Sequence, residues 1–243
     1  MNYSIRTNVA AYQRGESNVR GYASVVFGDS FKVSNITILE NRETGQLYVS
    51  MPRFLSNEKD EQGNQVYKDV CNPINRDFRE ELTDNILKAF ERAKTDDKAI
   101  LTVNADDHDM PAFKVSVTPF ERDGSTIRGL ARIYIDDCFV INNVSVLEGN
   151  NGLFVSMPSY RTKKFDDRGK PVYQDVCFPI TKAFRDRLYG VILNAYHEEK
   201  SRDDDVPDLS QAEEQYDKDM GKSEGGFAKV SEEDARRVDA MFR

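Results

Sequence analysis

Tryptophan is absent, histidine occurs twice, cysteine three times, and no apolar run is long. No stretch approaches the roughly 20 apolar residues that a membrane-spanning helix needs. The opening MNYSIRTNVA has neither an apolar core nor a small-residue cleavage site, so no secretory leader is expected. Cys71, Cys138 and Cys177 lack Cys-x-x-Cys spacing, which points to reduced, buried thiols in a cytoplasmic setting and not to a disulfide framework. A cysteine nucleophile would need a neighbouring base, yet His108 and His197 have no counterparts elsewhere in the chain. The same shortage leaves no cluster with metal-ligand spacing. No Gly-rich phosphate loop or Ser/His/Asp set is present. These absences point away from an enzyme, a cofactor, a small-molecule substrate or a membrane. The missing tryptophan decides nothing.

An excess of positive charge is also lacking. The 243 residues carry a formal net charge of −8. Residues 201–243 hold 13 Asp/Glu against 7 Lys/Arg, a net −6, which leaves 29 against 27 for the rest. The acidity therefore sits mostly in the tail, and any contact with nucleic acid must come from a local basic patch.

What the chain does have is a repeat. YVSMP at 48–52 returns as FVSMP at 154–158. From Leu47–Phe90 against Leu153–Tyr196, 20 of 44 positions are identical without a gap. Upstream the offset is two residues larger: Arg20-Gly21 matches Arg128-Gly129, Asn35 matches Asn143, and Leu39-Glu40 matches Leu147-Glu148. The change falls between NRETGQ in one copy and GNNG in the other, both of hairpin-turn composition. Loops absorb length changes and strands do not, so the pattern is a duplicated fold unit.

Each copy shows period-two apolar alternation. The first strand holds Ile5, Thr7 and Val9, or Phe113, Val115 and Val117. The second holds Val19, Ala23 and Val25, or Ile127, Ala131 and Ile133. The third runs from Phe31 to Leu39, or Phe139 to Leu147, and its alternation slips at Asn35 and Asn143, where a bulge is expected. A fourth carries VSMP and ends at the proline, with Met51 and Met157 filling core. A polar loop and VYKDVCNPI or VYQDVCFPI follow. Asn75 and Thr181 then cap a helix whose apolar face is Phe78, Leu82, Ile86, Leu87 and Phe90, or Phe184, Leu188, Ile192, Leu193 and Tyr196. The fold class is α+β: two tandem copies of an antiparallel sheet of four to five strands with a C-terminal helix. The expected boundaries are 1–94 for copy one, 95–111 for an acidic linker with a short apolar patch AILTV, 112–200 for copy two, and 201–243 for an acidic, mostly disordered tail. Within that tail residues 231–242 could form a short amphipathic helix.

FVINNVSVLEGNNGLFVSMPSYRT at 139–162, followed by DVCFPI and a helix, resembles the SpoVG family of bacterial stage V sporulation and septation regulators. Copy one keeps the frame but lacks the Gly-Asn-Asn-Gly turn and the basic cluster after the proline. The resemblance implies a small domain that dimerises through its sheet. It also implies site-selective binding of DNA, in some members RNA, with roles in gene regulation and cell division and no catalytic activity. A tandem copy departs from the usual single-domain form. The two copies are expected to pair within one chain as a pseudo-dimer, with a homo-oligomer as the alternative.

The candidate nucleic-acid contacts lie in copy two. VSMPSY is followed by Arg161, Lys163, Lys164, Arg168 and Lys170, interrupted by Asp166 and Asp167. Tyr160 and Phe165 interleave with them and could stack on bases. The helix start adds Lys182, Arg185 and Arg187 and free backbone N–H groups. In copy one Arg53, Lys59, Arg76 and Arg79 remain, opposed by Glu58, Asp60 and Glu61, so copy two should make most contacts. A loop with five cations is also what an ordinary solvated face looks like, and the Arg20/Arg128 pair reads as charge on a strand edge. The acidic tail reads as solubilising, or as an intramolecular mimic that competes for the basic loop. The alternative for the whole protein is an adaptor that binds protein partners.

Overall fold

The computed structural model describes residues 1–10, 17–96, 98–104, 110–120 and 122–205. The expected tail helix and most of the tail lie outside these residues, as do His108 and the linker acids at 106, 107 and 109. Copy one runs β1 (Tyr3–Val9), β2 (Val19–Phe27), β3 (Phe31–Glu40), β4 (Leu47–Ser50), β5 (Arg53–Lys59), β6 (Gln65–Asp69), β7 (Cys71–Pro73), α1 (Arg76–Asp96) and β8 (Lys98–Val103). Copy two runs β9 (Phe113–Pro119), β10 (Ile127–Ile135), β11 (Phe139–Gly149), β12 (Gly152–Ser156), β13 (Ser159–Phe165), β14 (Pro171–Asp175), β15 (Cys177–Pro179) and α2 (Lys182–Asp205).

In each copy the first three strands pair in sequence, antiparallel, and the inward-facing residues form the floor on which the helix lies. Asn75 Oδ1 accepts the Phe78 N–H at 2.8 Å, and Thr181 Oγ1 accepts the Phe184 N–H at 3.3 Å. Both caps satisfy a donor that the first helical turn leaves open. Phe78, Leu82, Ile86 and Phe90 are buried on one face of α1, as are Phe184, Leu188, Ile192 and Tyr196 on α2; Leu87 and Leu193 pack at the margin. Each such side chain contributes about 1.5–3 kcal/mol on burial. Met157 is buried and Met51 half-buried against the same core.

The two copies are not separate. β7 leaves its own sheet and pairs with β11 of copy two, Cys71 opposite Ile141 and Pro73 opposite Phe139. β15 does the same with β3, Cys177 opposite Val33 and Pro179 opposite Phe31. Along one edge of β3 lie the exchanged strand at Phe31–Val33 and then the copy's own β4 at Thr37–Glu40. The bulge falls between them. Asn35 and Asn143 take φ of 61° and 59°, a left-handed conformation that asparagine tolerates. Beside each, a main-chain amide reaches across: Ser34 N–H donates to Val176 O and Asn142 N–H to Val70 O, both at 2.8 Å. The bulge thus marks where one edge changes partners. The aromatic core crosses the same line, with Phe27 and Phe139 ring centroids 5.1 Å apart and Phe31 and Phe184 6.2 Å apart.

Four expectations need correction. The polar loop after the VSMP strand is a hairpin in both copies, β5–β6 and β13–β14, each a two-stranded sheet of its own. Exposed over most of its length, it shows no apolar alternation to betray it. The 95–111 stretch is no simple linker: α1 reaches Asp96, and Lys98–Val103 becomes β8 on the outer edge of β1. α2 runs past residue 200 to Asp205. Arg20 and Arg128 do not guard an edge. They lie on the second strand and form ion pairs with Glu40 and Glu148 of the third, so the matched Arg-Gly and Leu-Glu pairs are partners of one another.

Candidate nucleic-acid interface

The β13–β14 hairpin gathers the predicted cations. Its turn is built by Asp166, whose Oδ1 accepts the Arg168 N–H at 2.9 Å and the Lys170 N–H at 2.7 Å, while Gly169 takes φ of 73°. Asp60 and Gly63 do the same in copy one, Asp60 accepting from Gln62 and Asn64. The Asn64 amide holds the Asp60 carboxyl below its ordinary value. Asp166 is therefore a turn-former and not a mere interruption of the basic run. The matched Asp and Gly of the two copies carried that signal. Thr162 Oγ1 donates to Val172 O at 2.8 Å and accepts the Lys164 N–H at 3.2 Å, where the strand pairing between Arg161 and Phe165 is irregular.

Arg161, Lys163, Lys164, Arg168 and Lys170 are all exposed. The Arg161 guanidinium lies 5.8 Å from the Phe165 ring centroid, and Phe165 is 61% exposed. Among the described residues none of the five makes a side-chain ion pair. Residues 159–175 hold these five cations against Asp166, Asp167 and Asp175, a net +2; residues 53–69 hold Arg53, Lys59 and Lys68 against Glu58, Asp60, Glu61 and Asp69, a net −1. Lys68 is moreover paired with Glu58.

The remaining predicted residues have other attachments. Tyr160 is on the hairpin, its hydroxyl 3.0 Å from Gln174 Oε1. Lys182 pairs with Asp186 on its own helix at 2.5 Å. Arg185 Nη2 donates to Pro179 O at 3.4 Å, and Arg79 Nη2 to Pro73 O at 2.9 Å. These two arginines tie each helix to the end of the exchanged strand that precedes it. Arg187 lies over Phe113, 5.2 Å from its centroid. Arg53 stands at the base of the copy-one hairpin, 5.7 Å over Tyr67. It lines a cleft of about 510 Å³ between the bases of the two hairpins, to which both copies contribute. Sequence reasoning missed that cleft, because its lining is drawn from segments scattered from Asn35 to Val176.

The matched cysteines meet at the centre. Cys71 and Cys177 have no exposure, and Cys71 neighbours the Cys177 thiol. Burial, with the Cys71 contact next, pushes the Cys177 thiol well above its ordinary value. Burial likewise pushes Cys138 up to about 11, with the Asp136 charge adding to it. A reactive cysteine needs an exposed thiolate, and these are the opposite. In the unfolded chain such thiols ionise from about pH 8.5–9. In the folded chain the Cys138 and Cys177 thiols stay protonated, so the unfolded state binds fewer protons and stability falls as pH rises through this window. The melting temperature should hold up to about pH 8.5 and then decline towards pH 11; a flat profile would contradict this, and Cys138→Ala should shallow the decline.

Among the described residues no group of three His, Cys, Asp or Glu could hold a metal, and no helix is long and apolar enough to cross a membrane. The fold and the exchange define a tandem of one small sheet-and-helix domain. The SpoVG family model matches it twice, over residues 3–92 and 110–198, and the chain belongs to that family. Relatives include proteins of Treponema denticola (36% identical over 73 residues, 30% of this chain and 72% of that protein) and Bacillus subtilis (38% over 71 residues, 29% and 67%). A third, from Staphylococcus carnosus, is 30% identical over 115 residues, 47% of this chain and 98% of that protein. All three carry the words septation protein SpoVG in their names.

Proposed function

We propose that this protein is a non-catalytic, cytoplasmic regulator that binds DNA or RNA through the β13–β14 hairpin, in the setting of bacterial septation and gene regulation to which the family name points. One observation carries the reading: five exposed cations without ion pairs stand on one hairpin, while the equivalent hairpin of copy one is net negative. Unpaired cations can neutralise phosphates and release counterions, whereas cations already paired within the chain gain less. Copy one then serves as the structural partner. Lys182, Arg185 and Arg79 act in stability more than in contact, because their charges are already engaged.

The test is fluorescence-anisotropy binding of DNA and RNA oligonucleotides over a salt series. Each phosphate contact contributes about 0.7–0.9 to the slope of log K against log salt. An Arg161/Lys163/Lys164→Ala triple variant should therefore lower the slope by roughly 2–3. An unchanged slope would remove the hairpin from the interface.

A second reading, a protein-binding adaptor, has one observation in its favour. β8 covers the outer edge of β1, while its counterpart β9 has no outer neighbour among the described residues. An open strand edge can accept an extended peptide. Salt-insensitive, negligible oligonucleotide binding would favour it.

A further inference from the structure

We infer that the cleft between the two copies seats one unpaired nucleobase. The inference rests on the nucleic-acid reading above and extends it, because it assigns the stacking and base-contacting groups to the cleft at the base of the basic hairpin and not to the hairpin's cations.

The cleft has three features that suit a base. Its volume of about 510 Å³ falls within the range of small-ligand pockets, about 300–1,000 Å³. Two tyrosines line it, one from each copy. Tyr67 is 60% exposed and carries the Arg53 guanidinium, which makes no ion pair among the described residues; Tyr160 is 37% exposed. Third, Asn35 and Asn143, one from each copy, both line the cleft, and neither side-chain amide makes a hydrogen bond among the described residues.

A planar, heteroatom-rich ring meets all three. Bases stack on tyrosine irrespective of sequence. An asparagine amide presents a donor beside an acceptor, the pattern that complements the edge of a base such as adenine. The bulge accounts for the backbone at Asn35 and Asn143 but not for the side chain. Glycine would adopt the same φ and leave the cleft without its amides. A base held in a duplex is stacked on both faces, so it cannot enter a concave site without leaving the helix. An unpaired base can. Ser159 and Tyr160 line the cleft and also open β13, so a strand whose phosphates follow the hairpin cations is delivered to the cleft mouth.

The experiment uses the full chain and three probes: an oligonucleotide containing one 2-aminopurine, the same oligonucleotide annealed to its complement, and adenosine monophosphate. The single strand should bind at least several-fold tighter than the duplex at equal salt, with 2-aminopurine fluorescence quenched on binding. An Asn35→Gly/Asn143→Gly variant keeps the left-handed backbone and should fold. It should lose about tenfold in single-strand affinity and most of the quenching, with an unchanged salt slope. Tyr67→Leu should do likewise. The Arg161/Lys163/Lys164→Ala variant should do the reverse, lowering the slope while the bound fraction stays quenched. Equal affinity for duplex and single strand, or quenching that survives the glycine variant, overturns the inference and leaves the hairpin reading standing. If no oligonucleotide binds but the mononucleotide shifts the side-chain amide resonances of Asn35 and Asn143, the cleft stands and the hairpin reading falls. If neither binds, both fall.

Discussion

Separated into residues 1–104 and 110–205, the two copies are expected to lose independent stability as monomers and to regain it only by dimerising. Each half keeps the strand it donates but loses the one it receives. Copy one alone leaves Phe31–Val33 of β3 without its partner from β15, and Phe31 without the Phe184 ring. Copy two alone leaves Phe139 without β7 and without Phe27. The donated strands are Cys-Asn-Pro and Cys-Phe-Pro, so a second molecule of the same half can supply what is missing. The covalent chain supplies its partner at an effective concentration in the millimolar range, and a separate half at micromolar concentration has no such advantage. Analytical ultracentrifugation should therefore show dimers of each half, with melting temperatures that rise with concentration. The intact chain should sediment as a monomer with a concentration-independent transition. A monomeric half that melts independently of concentration at the temperature of the whole chain would contradict the exchange.

Gly21→Ala should be the most damaging single methyl in the sheet. A Cβ at this position would lie 2.6 Å from the main-chain oxygen of Asn8 and would also overlap the Phe90 ring. The ring could turn aside, but the neighbouring strand's backbone cannot move without breaking the β1–β2 ladder. Overpacking of this kind costs about 1–3 kcal/mol, and the backbone contact places Gly21 at the upper end. For a chain of this size that corresponds to a melting temperature lower by roughly 6–12 °C. Gly129→Ala should cost less. Its nearest atom is Tyr196 Cδ2 at 2.9 Å, and the main-chain oxygen of Thr118 lies at an ordinary 3.4 Å. Calorimetry on the two variants, with Tyr196→Leu added to the second, separates the cases: the added change should recover part of the loss at 129. Equal effects at 21 and 129 would sink the argument.

Much of this was visible in the sequence because it is local. The strand alternation, the caps at Asn75 and Thr181, the bulge at Asn35 and Asn143 and the length change in the β3–β4 turn are all written in adjacent residues. The exchange was not, because duplication itself conceals it. The third strands of the two copies are so alike that β7 fits either, and no local pattern says which it joins. The β5–β6 and β13–β14 hairpins escaped because most of their residues are exposed, and β8 because it is a six-residue strand in an acidic stretch. At the candidate interface the hairpin cations were legible as one contiguous run. The ties of Arg79 and Arg185 to proline carbonyls needed the helix and the exchanged strand in place. The cleft required both copies at once.

The exchange also sets an order of events at the ribosome. Copy one is fully synthesised once β8 has emerged, yet the edge of β3 at Phe31–Val33 waits for β15, whose last residue is Pro179. At about 5–20 residues per second, the interval between the synthesis of β7 and that of β15 is roughly 5–20 s. Throughout it an unpaired strand edge and the Phe31 ring remain open to another nascent copy one, which carries its own Cys-Asn-Pro strand. Adjacent ribosomes on one message hold such copies close together. Synthesis rate and ribosome spacing therefore join sequence in deciding whether this chain closes on itself or on its neighbour.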